Sequence, residues 1–161
     1  SAKCLQFLIL TAARSAEARE ALWDEFDLAQ GLWTIPAARM KAGREHRVPL
    51  SDPALDTIKA LAGFRQSAFV FPGTPVRKPI SEAALRNLMT RMLGDKVATI
   101  HGFRSSFRDW AGEATEYPRD IAELALAHQV GNAVERAYRR GDAVERRRAM
   151  MNDWSEYVIS K

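Results

Sequence analysis

The chain has 161 residues, of which 47% are hydrophobic and 27% are charged, and its formal net charge is +4. This composition is that of an ordinary globular domain and excludes intrinsic disorder. Cys4 is the single cysteine, which excludes an internal disulfide and a multi-cysteine metal site. The apolar run from Leu5 to Ala13 is too short to cross a bilayer. The basic excess is local: residues 31–50 hold 4 Lys or Arg against 1 Asp or Glu, which fits a solvated loop or a phosphate-binding patch.

The N-terminal segment is predicted to form two short helices. Residues 5–10 are apolar on almost all sides, which predicts a buried helix that ends near Arg14. Ser15 is a good N-cap residue, so we expect it to begin a second helix that reaches Leu22.

Extended segments and two further helices are predicted next. Residues 32–36 and 46–50 have strand-like patterns and are separated by a basic turn that contains glycine. Ser51, followed by aspartate and proline, predicts the start of a helix. Residues 69–72 are predicted to be extended, and residues 81–93 to form another helix.

The chain is predicted to be helical from Thr99 onward. In the helix that opens there, spacings of three and four residues define two faces. The apolar face is predicted to hold Phe103, Phe107, Trp110, Ala111 and Ala114. The opposite, polar face is predicted to hold His101, Arg104, Ser105 and Arg108.

Three more helices complete the prediction. One covers residues 119–127 and is broken at Val130-Gly131, and a short one carries Tyr138 and ends at Gly141. Asp142 is predicted to open the last helix with a capping box. The expected fold class is therefore mainly α with a small antiparallel β-sheet.

The most distinctive local motif is His101-Gly-Phe-Arg104. An imidazole and a guanidinium three residues apart near a helix N-terminus are suited to binding phosphate oxygens. Taken alone, the motif favours the simpler interpretation of two surface side chains on a helix. Arg14 has the same ambiguity, because it can present its fork to an anion or simply pair with Glu17.

Three other residues have a structural and a functional explanation. Lys41 begins the basic turn, where it could reach over a ligand or only be solvated. His128 ends an apolar helix, so packing in the core is a real alternative to a catalytic role. Tyr138 is either a core tyrosine or a phenol nucleophile.

Several common kinds of site are disfavoured. The three histidines lie on separate elements and no HExxH or CxxC motif brackets them, which disfavours a metal site. No phosphate-binding glycine motif for nucleotides and no G-x-S-x-G motif is found. The remaining cations, imidazoles and phenol suit phosphoryl transfer.

The order of these residues resembles one family over nearly the whole chain. The residues that carry the resemblance lie in five segments: Thr11-Ala-Ala-Arg14-Ser-Ala-Glu17, Met40-Lys41 through Val48-Pro-Leu50, His101-Gly-Phe-Arg104, Leu126-Ala-His128 and Ala137-Tyr138-Arg-Arg-Gly-Asp142. Together these segments resemble the catalytic domain of tyrosine recombinases, the phage-type integrases. This version of the motifs is most similar to that of integrases of prophages and genomic islands. The resemblance implies that domain's fold, with a three-stranded antiparallel sheet.

The sequence departs from the family pattern at a few positions. The family usually has glycine where this chain has Ala12, Ala16 and Ala127. The interval from His128 to Tyr138 is one residue longer than the commonest spacing. The charged and nucleophilic groups of the pattern are all present.

The resemblance implies a strand-cleaving mechanism. The implied catalytic residues are Arg14, Lys41, His101, Arg104, His128 and Tyr138. Tyr138 would form a 3′-phosphotyrosyl link, the arginines and histidines would hold the phosphate oxygens, and Lys41 would protonate the leaving 5′-oxygen. Glu17 is expected to orient Arg14. DNA contacts are expected from Arg39, Arg44, Arg47 and Arg139.

The resemblance also sets expectations about partners. We expect residues 1–161 to be a single C-terminal catalytic domain whose N-terminal DNA-binding domains are absent from this chain. The expected partners are double-stranded DNA attachment sites, a tetramer of the protein on DNA, and accessory DNA-bending or directionality proteins. No cofactor, metal or membrane is expected, and the expected location is the bacterial cytoplasm, at the nucleoid. Two alternatives stay open, a type IB topoisomerase and a non-catalytic DNA-binding module with Tyr138 in its core.

Overall fold

A computed structural model describes residues 1–95, 97–128 and 143–161 of the chain. Its helices are α1 (Ala2–Thr11), α2 (Ser15–Arg19), α3 (Asp52–Ala62), α4 (Glu82–Leu93), α5 (Gly102–Glu113), α6 (Arg119–Ala125) and α7 (Val144–Ile159). Its strands are β1 (Phe26–Asp27), β2 (Leu32–Ile35) and β3 (His46–Pro49), and 3₁₀ turns cover Trp23–Glu25 and Ala37–Arg39. The predicted fold class, mainly α with a three-stranded antiparallel sheet, is confirmed.

The sheet is a meander in the order β1-β2-β3, and both pairs of strands are antiparallel. Trp33 pairs with Val48 and Ile35 pairs with His46. Trp33, Ile35 and Val48 are buried because this end of the sheet packs against the helices. The loop between β2 and β3, residues 36–45, therefore extends from a firmly packed base.

Two apolar clusters form the core, and α1 lies between them. The first includes Phe7, Leu8, Trp33, Ile35 and Ile58. The second includes Phe107, Trp110, Met150, Met151 and Trp154. Ile9 packs against both clusters, and its carbonyl accepts a 2.8 Å hydrogen bond from Trp154 Nε1. These contacts fix the C-terminal end of α1, from which the chain enters the segment that holds Arg14.

The second helix differs from its prediction at both ends. Its N-cap is Arg14 rather than Ser15, and the helix begins at Ser15 itself. It ends at Arg19 rather than near Leu22, since Leu22 forms an isolated antiparallel bridge with Phe69. Backbone pairing with a distant segment therefore overrides the local helical pattern.

The helices after Thr99 are also shorter than predicted. The Thr99 hydroxyl accepts a 3.0 Å hydrogen bond from the Gly102 amide, and α5 begins only there. Helix α6 ends at Ala125 rather than Ala127, because Ala127 adopts a left-handed conformation with φ +54°. The predicted break at residues 130–131, the helix carrying Tyr138 and the capping role of Asp142 fall on residues 129–142, outside the described residues.

Candidate active site

Arg14 is held at the N-terminus of α2 by Glu17. The Glu17 carboxylate accepts 2.9 Å and 2.7 Å hydrogen bonds from the Arg14 backbone amide and from Nη1. Glu17 is buried, whereas the Arg14 side chain keeps 29% of its surface exposed. The predicted pairing is therefore present, and it leaves the rest of the guanidinium facing outward.

Arg104 lies at the centre of the site. Its Nη1 donates to the Ala12 carbonyl at 2.5 Å and its Nη2 donates to the Leu126 carbonyl at 2.7 Å. These carbonyls belong to the C-caps of α1 and α6, where carbonyl groups lack helical partners. A guanidinium has five N–H donors, so the two carbonyls leave donors for another acceptor.

The prediction that Arg104 lies on an exposed polar face is wrong. The residue is 6% exposed and shares the inward face of α5 with Phe107 and Ala111, which follow it by three and seven residues. The sequence pattern treats arginine as polar and therefore predicts that Arg104 faces solvent. Its burial is favourable because it donates to two helix-end carbonyls that have no helical partner.

His128 is held beside Arg104 by an acid. Its Nδ1 lies 2.6 Å from Glu123 Oε2 and its Nε2 lies 3.4 Å from Arg104 Nη2. Glu123 also accepts a 2.9 Å hydrogen bond from Arg108 Nε. Burial raises the pKa of Glu123, but the His128 and Arg108 interactions outweigh it, so this pKa lies below its ordinary value. The His128 side chain is 41% exposed, so the alternative of a core histidine is wrong.

Arg14 and Arg104 place two guanidinium groups close enough to influence each other. Burial, and then the charge of Arg14, lower the pKa of Arg104 to about 10, which Glu17 only partly offsets. A guanidinium keeps its charge in proteins, so the two groups repel each other. An anion placed between them would relieve that repulsion and fill the remaining donors.

The loop between β2 and β3 carries three of the predicted basic residues, and a fourth, Arg47, follows in β3. Lys41 and Arg44 are exposed, as the prediction of a basic turn requires. Arg39 is different, because its guanidinium binds Glu25 and the Glu17 carbonyl. The backbone carbonyl of Arg47 accepts a 2.6 Å hydrogen bond from the buried Arg147.

His101 is the N-cap residue of α5 and is exposed. Its carbonyl accepts a 3.1 Å hydrogen bond from the Arg104 amide, so the two residues of the motif share one helical turn. The His101 side chain is exposed at the start of α5, whereas the Arg104 side chain is buried.

Residues 1–144 match the model of the phage integrase family. The chain belongs to this family. The prophage integrase IntA of Escherichia coli (strain K12) is 42% identical over 163 residues, and the prophage integrase IntZ of the same strain is 37% identical over 159 residues. These alignments cover 98% and 97% of this chain but 39% of either relative, so the chain spans about two fifths of their length.

A solved structure has the same fold. It is the integrase of the Tn1549 transposon in complex with circular intermediate DNA, with a TM-score of 0.56 and 12% sequence identity. The match covers 86% of this chain and 57% of that one. The prediction of a tyrosine recombinase catalytic-domain fold is therefore confirmed.

Two of the three alanines that replace the family's usual glycines have positive φ angles. Ala12 has φ +49° and Ala127 has φ +54°, a region that L-residues other than glycine rarely adopt. Each adjoins a carbonyl that binds Arg104: Ala12 supplies one itself, and Leu126, which supplies the other, precedes Ala127. Ala16 lies within α2 instead, so glycine has no conformational advantage there.

Sequence reasoning missed His46. Burial, and then the charge of Arg147, lower the pKa of His46 to about 4, whereas Glu17 and the Ala125 carbonyl act in the opposite direction. These interactions keep the imidazole neutral at pH 7, and the charge of Arg104 makes a smaller contribution to the shift. The sequence does indicate this burial, because side chains two residues apart in a strand lie on the same face and Val48, two residues after His46 in β3, is buried.

Tyr138 and Arg139 lie outside the described residues, so their roles stay predictions. Within the ranges that the structure describes, no three His, Cys, Asp or Glu side chains gather closely enough to hold a metal ion. No helix in these ranges is both long and apolar enough to span a membrane.

Proposed function

We propose that this chain cleaves and rejoins DNA strands through Tyr138, as part of a site-specific recombinase that integrates and excises a prophage or genomic island. The observation that carries the proposal is the buried Arg104 guanidinium, held by two helix-end carbonyls beside Arg14 and His128. Two fixed cations and an imidazole at one place suit a phosphodiester whose charge increases in the transition state. Membership of the phage integrase family supports recombination as the purpose of that chemistry.

In this proposal, Arg14 and Arg104 bind the non-bridging oxygens of the scissile phosphate. His101 and His128 donate hydrogen bonds to the same oxygens, and Glu17 keeps Arg14 in place through its 2.7 Å ion pair. Because the carbonyl contacts fix Arg104 before DNA binds, little side-chain freedom is lost when the phosphate arrives.

The environment of the other tyrosines supports Tyr138 as the nucleophile. The Tyr117 hydroxyl donates a 2.7 Å hydrogen bond to Asp153, and burial together with this acid raises its pKa to about 12. The Tyr157 ring packs 5.8 Å from the Trp154 ring, centroid to centroid. Both phenols therefore belong to the structure around the second apolar cluster, and the chain has 3 tyrosines in all.

The proposed step exchanges one phosphate ester for another. Tyr138 Oη forms a bond to phosphorus, and the bond from phosphorus to the 5′-oxygen breaks. His101 or His128 accepts the phenol proton, and Lys41 gives a proton to the departing 5′-oxygen. Attack by a 5′-hydroxyl on the phosphotyrosine reverses the step and joins the strand, so neither ATP nor a metal ion is needed.

A covalent-adduct experiment tests this proposal. The chain is incubated with a suicide DNA that carries a nick next to the cleavage site, and protein–DNA adducts are separated on a denaturing gel. We expect Tyr138→Phe to remove the adduct while thermal unfolding and DNA affinity stay unchanged. Tyr157→Phe and Tyr117→Phe are the matched controls, and each should retain the adduct.

Loss of the adduct in a control variant, with retention in Tyr138→Phe, would contradict the assignment. Holliday junctions formed from two attachment-site duplexes would distinguish recombination from topoisomerase-like relaxation, which exchanges no partner strands.

The wider assembly is part of the same proposal. Recombination requires double-stranded attachment sites and a tetramer that holds two duplexes, with accessory proteins that bend DNA or set direction. We propose that Arg44, Arg47 and Arg139 contact the DNA backbone, since basic side chains gain affinity by releasing counterions from phosphates.

A further inference from the structure

Arg39 joins the loop that carries Lys41 to the segment that carries Arg14. Its Nη1 donates to the two carboxylate oxygens of Glu25 at 2.5 Å and 2.6 Å, and its Nη2 donates to the Glu17 carbonyl at 2.7 Å. The side chain of Arg39 is 17% exposed and that of Glu25 is 5% exposed. A guanidinium held on two sides in this way is poorly placed to bind a DNA phosphate as well.

Glu25 is itself fixed by the core. It accepts a 2.9 Å hydrogen bond from Nε1 of the fully buried Trp33 and a 3.2 Å hydrogen bond from the Leu22 amide. Trp33 lies in the central strand of the sheet. The carboxylate that binds Arg39 is therefore immobile relative to the sheet.

The other partner of Arg39 belongs to the site. Glu17 presents its backbone carbonyl to Arg39 and its carboxylate to Arg14. Arg39 closes the 3₁₀ turn at residues 37–39, and Lys41 follows two residues later. One side chain thus links the start of the Lys41 loop to the residue that orients Arg14.

We propose that Arg39 is a positioning residue for Lys41 rather than a phosphate ligand. The inference rests on the proposed function, in which Lys41 is the general acid. A general acid must lie within hydrogen-bond reach of the atom it protonates, and a shift of about 1 Å can cost about 100-fold in rate. Lys41 is exposed, so its backbone must be held from the base of the loop, which is where Arg39 is bound.

The substitution Arg39→Lys separates position from charge. Lysine keeps the cation near Glu25, but a single ammonium group on a flexible chain cannot reproduce the fork that reaches both Glu25 and the Glu17 carbonyl. If Arg39 positions Lys41, cleavage should slow by about 10- to 100-fold although the charge is kept. Arg39→Met in a Glu25→Gln background is the second variant, because it leaves no buried unpaired charge if either single change impairs folding.

The test compares two DNA substrates under single-turnover conditions. One has the normal 5′-bridging oxygen at the cleavage site, and the other has sulfur there, which departs without a proton. We expect both Arg39 variants to be slow on the oxygen substrate and within about twofold of the unchanged chain on the sulfur substrate. Misplacing Lys41 removes only part of the assistance to the leaving group, which in full is worth about 10²–10⁴-fold. Lys41→Ala should show the same selective rescue.

Arg44→Met is the matched control, since Arg44 is an exposed arginine on the same loop. If Arg44 contacts a phosphate, the substitution should reduce DNA affinity and lower the slope of log affinity against log salt by about 1. The cleavage rate should then fall by the same factor on the oxygen and the sulfur substrate. The Arg39 variants should leave that slope unchanged.

The outcomes distinguish this inference from the proposed function. Equal slowing of the Arg39 variants on both substrates, or a reduced salt slope, would overturn the positioning role. Absence of rescue for Lys41→Ala would overturn it too, because no acid would then need positioning. Failure of the proposed function would appear separately, as an adduct that survives in Tyr138→Phe.

Discussion

The left-handed conformation of Ala127 predicts that a change from alanine to glycine is tolerated better there than at an alanine inside a helix. Ala127 has φ +54° and is half-buried at the end of α6. Ala16 is exposed within α2 and is the control. The family usually has glycine at both positions, so neither change is foreign to it.

The expected magnitude follows from three contributions. An L-residue in the left-handed region costs about 1–2 kcal/mol, which glycine avoids. Glycine loses about 0.5–1 kcal/mol more conformational entropy on folding than alanine, wherever it is placed. Removing a half-buried methyl group costs about 0.4 kcal/mol, half of the full value. Ala127→Gly should therefore be neutral to slightly stabilising, whereas Ala16→Gly should lower the free energy of unfolding by about 0.5–1 kcal/mol.

The difference in unfolding free energy between Ala127→Gly and Ala16→Gly is predicted more accurately than either value, because the entropy of glycine in the unfolded chain cancels. That difference should be about 1 kcal/mol, or about 2–4 °C in Tm for a chain of this size. Ala12→Gly should fall between them: its φ is also positive, but its methyl group is fully buried. Urea unfolding followed by circular dichroism gives the three values. Equal destabilisation by all three changes would refute the reasoning.

Three other predictions concern charge and protonation. Because the pKa of His46 is about 4 in the fold against an ordinary value of 6.5, the stability present above pH 6.5 should fall by about 2–3 kcal/mol between pH 7 and pH 4.5. In His46→Gln, the free energy of unfolding, measured in urea at each pH, should fall less steeply as the pH is lowered. The same dependence on pH as in the unchanged chain would contradict this. Arg104→Lys should cost about 2–4 kcal/mol, because one ammonium cannot reach both carbonyls, whereas Arg108→Lys, at a half-exposed site, should stay within about 0.5 kcal/mol. Adduct formation should persist in EDTA and fall steeply with salt, and inhibition of pre-bound DNA cleavage by the chelator would refute the metal-free mechanism.

Local sequence patterns predicted most of the fold. The starts of α3 and α4 depend on neighbouring residues and were predicted correctly. Proline follows the first residue of α3, and before α4 the Ser81 hydroxyl accepts a 3.1 Å hydrogen bond from the Ala84 amide. The end of α2 was not, because it depends on pairing between Leu22 and Phe69, which are remote in sequence. Contacts of that kind leave no trace in a window of a few residues.

The structure brings together three of the predicted catalytic residues, Arg14, Arg104 and His128, but the burial of Arg104 was not predicted. The order of Arg14, Lys41, His101, Arg104 and His128 indicated the chemistry, since it resembles one family. The burial of Arg104 depends on carbonyls 92 and 22 residues away, which no helical pattern can reveal. Arg39 was predicted to contact DNA, and its hydrogen bond to a carbonyl 22 residues away is equally invisible in the sequence.

The hydrogen bond between Trp154 and the Ile9 carbonyl, which spans 145 residues, has a consequence for the order of folding. Contacts between residues so far apart in sequence form slowly, because closing a long loop costs entropy before the contact repays it. The second apolar cluster, which surrounds this indole and supports the end of α1, is therefore expected to form after the local helices. Until α7 docks, Arg14 and Arg104 lack the packing that aligns them.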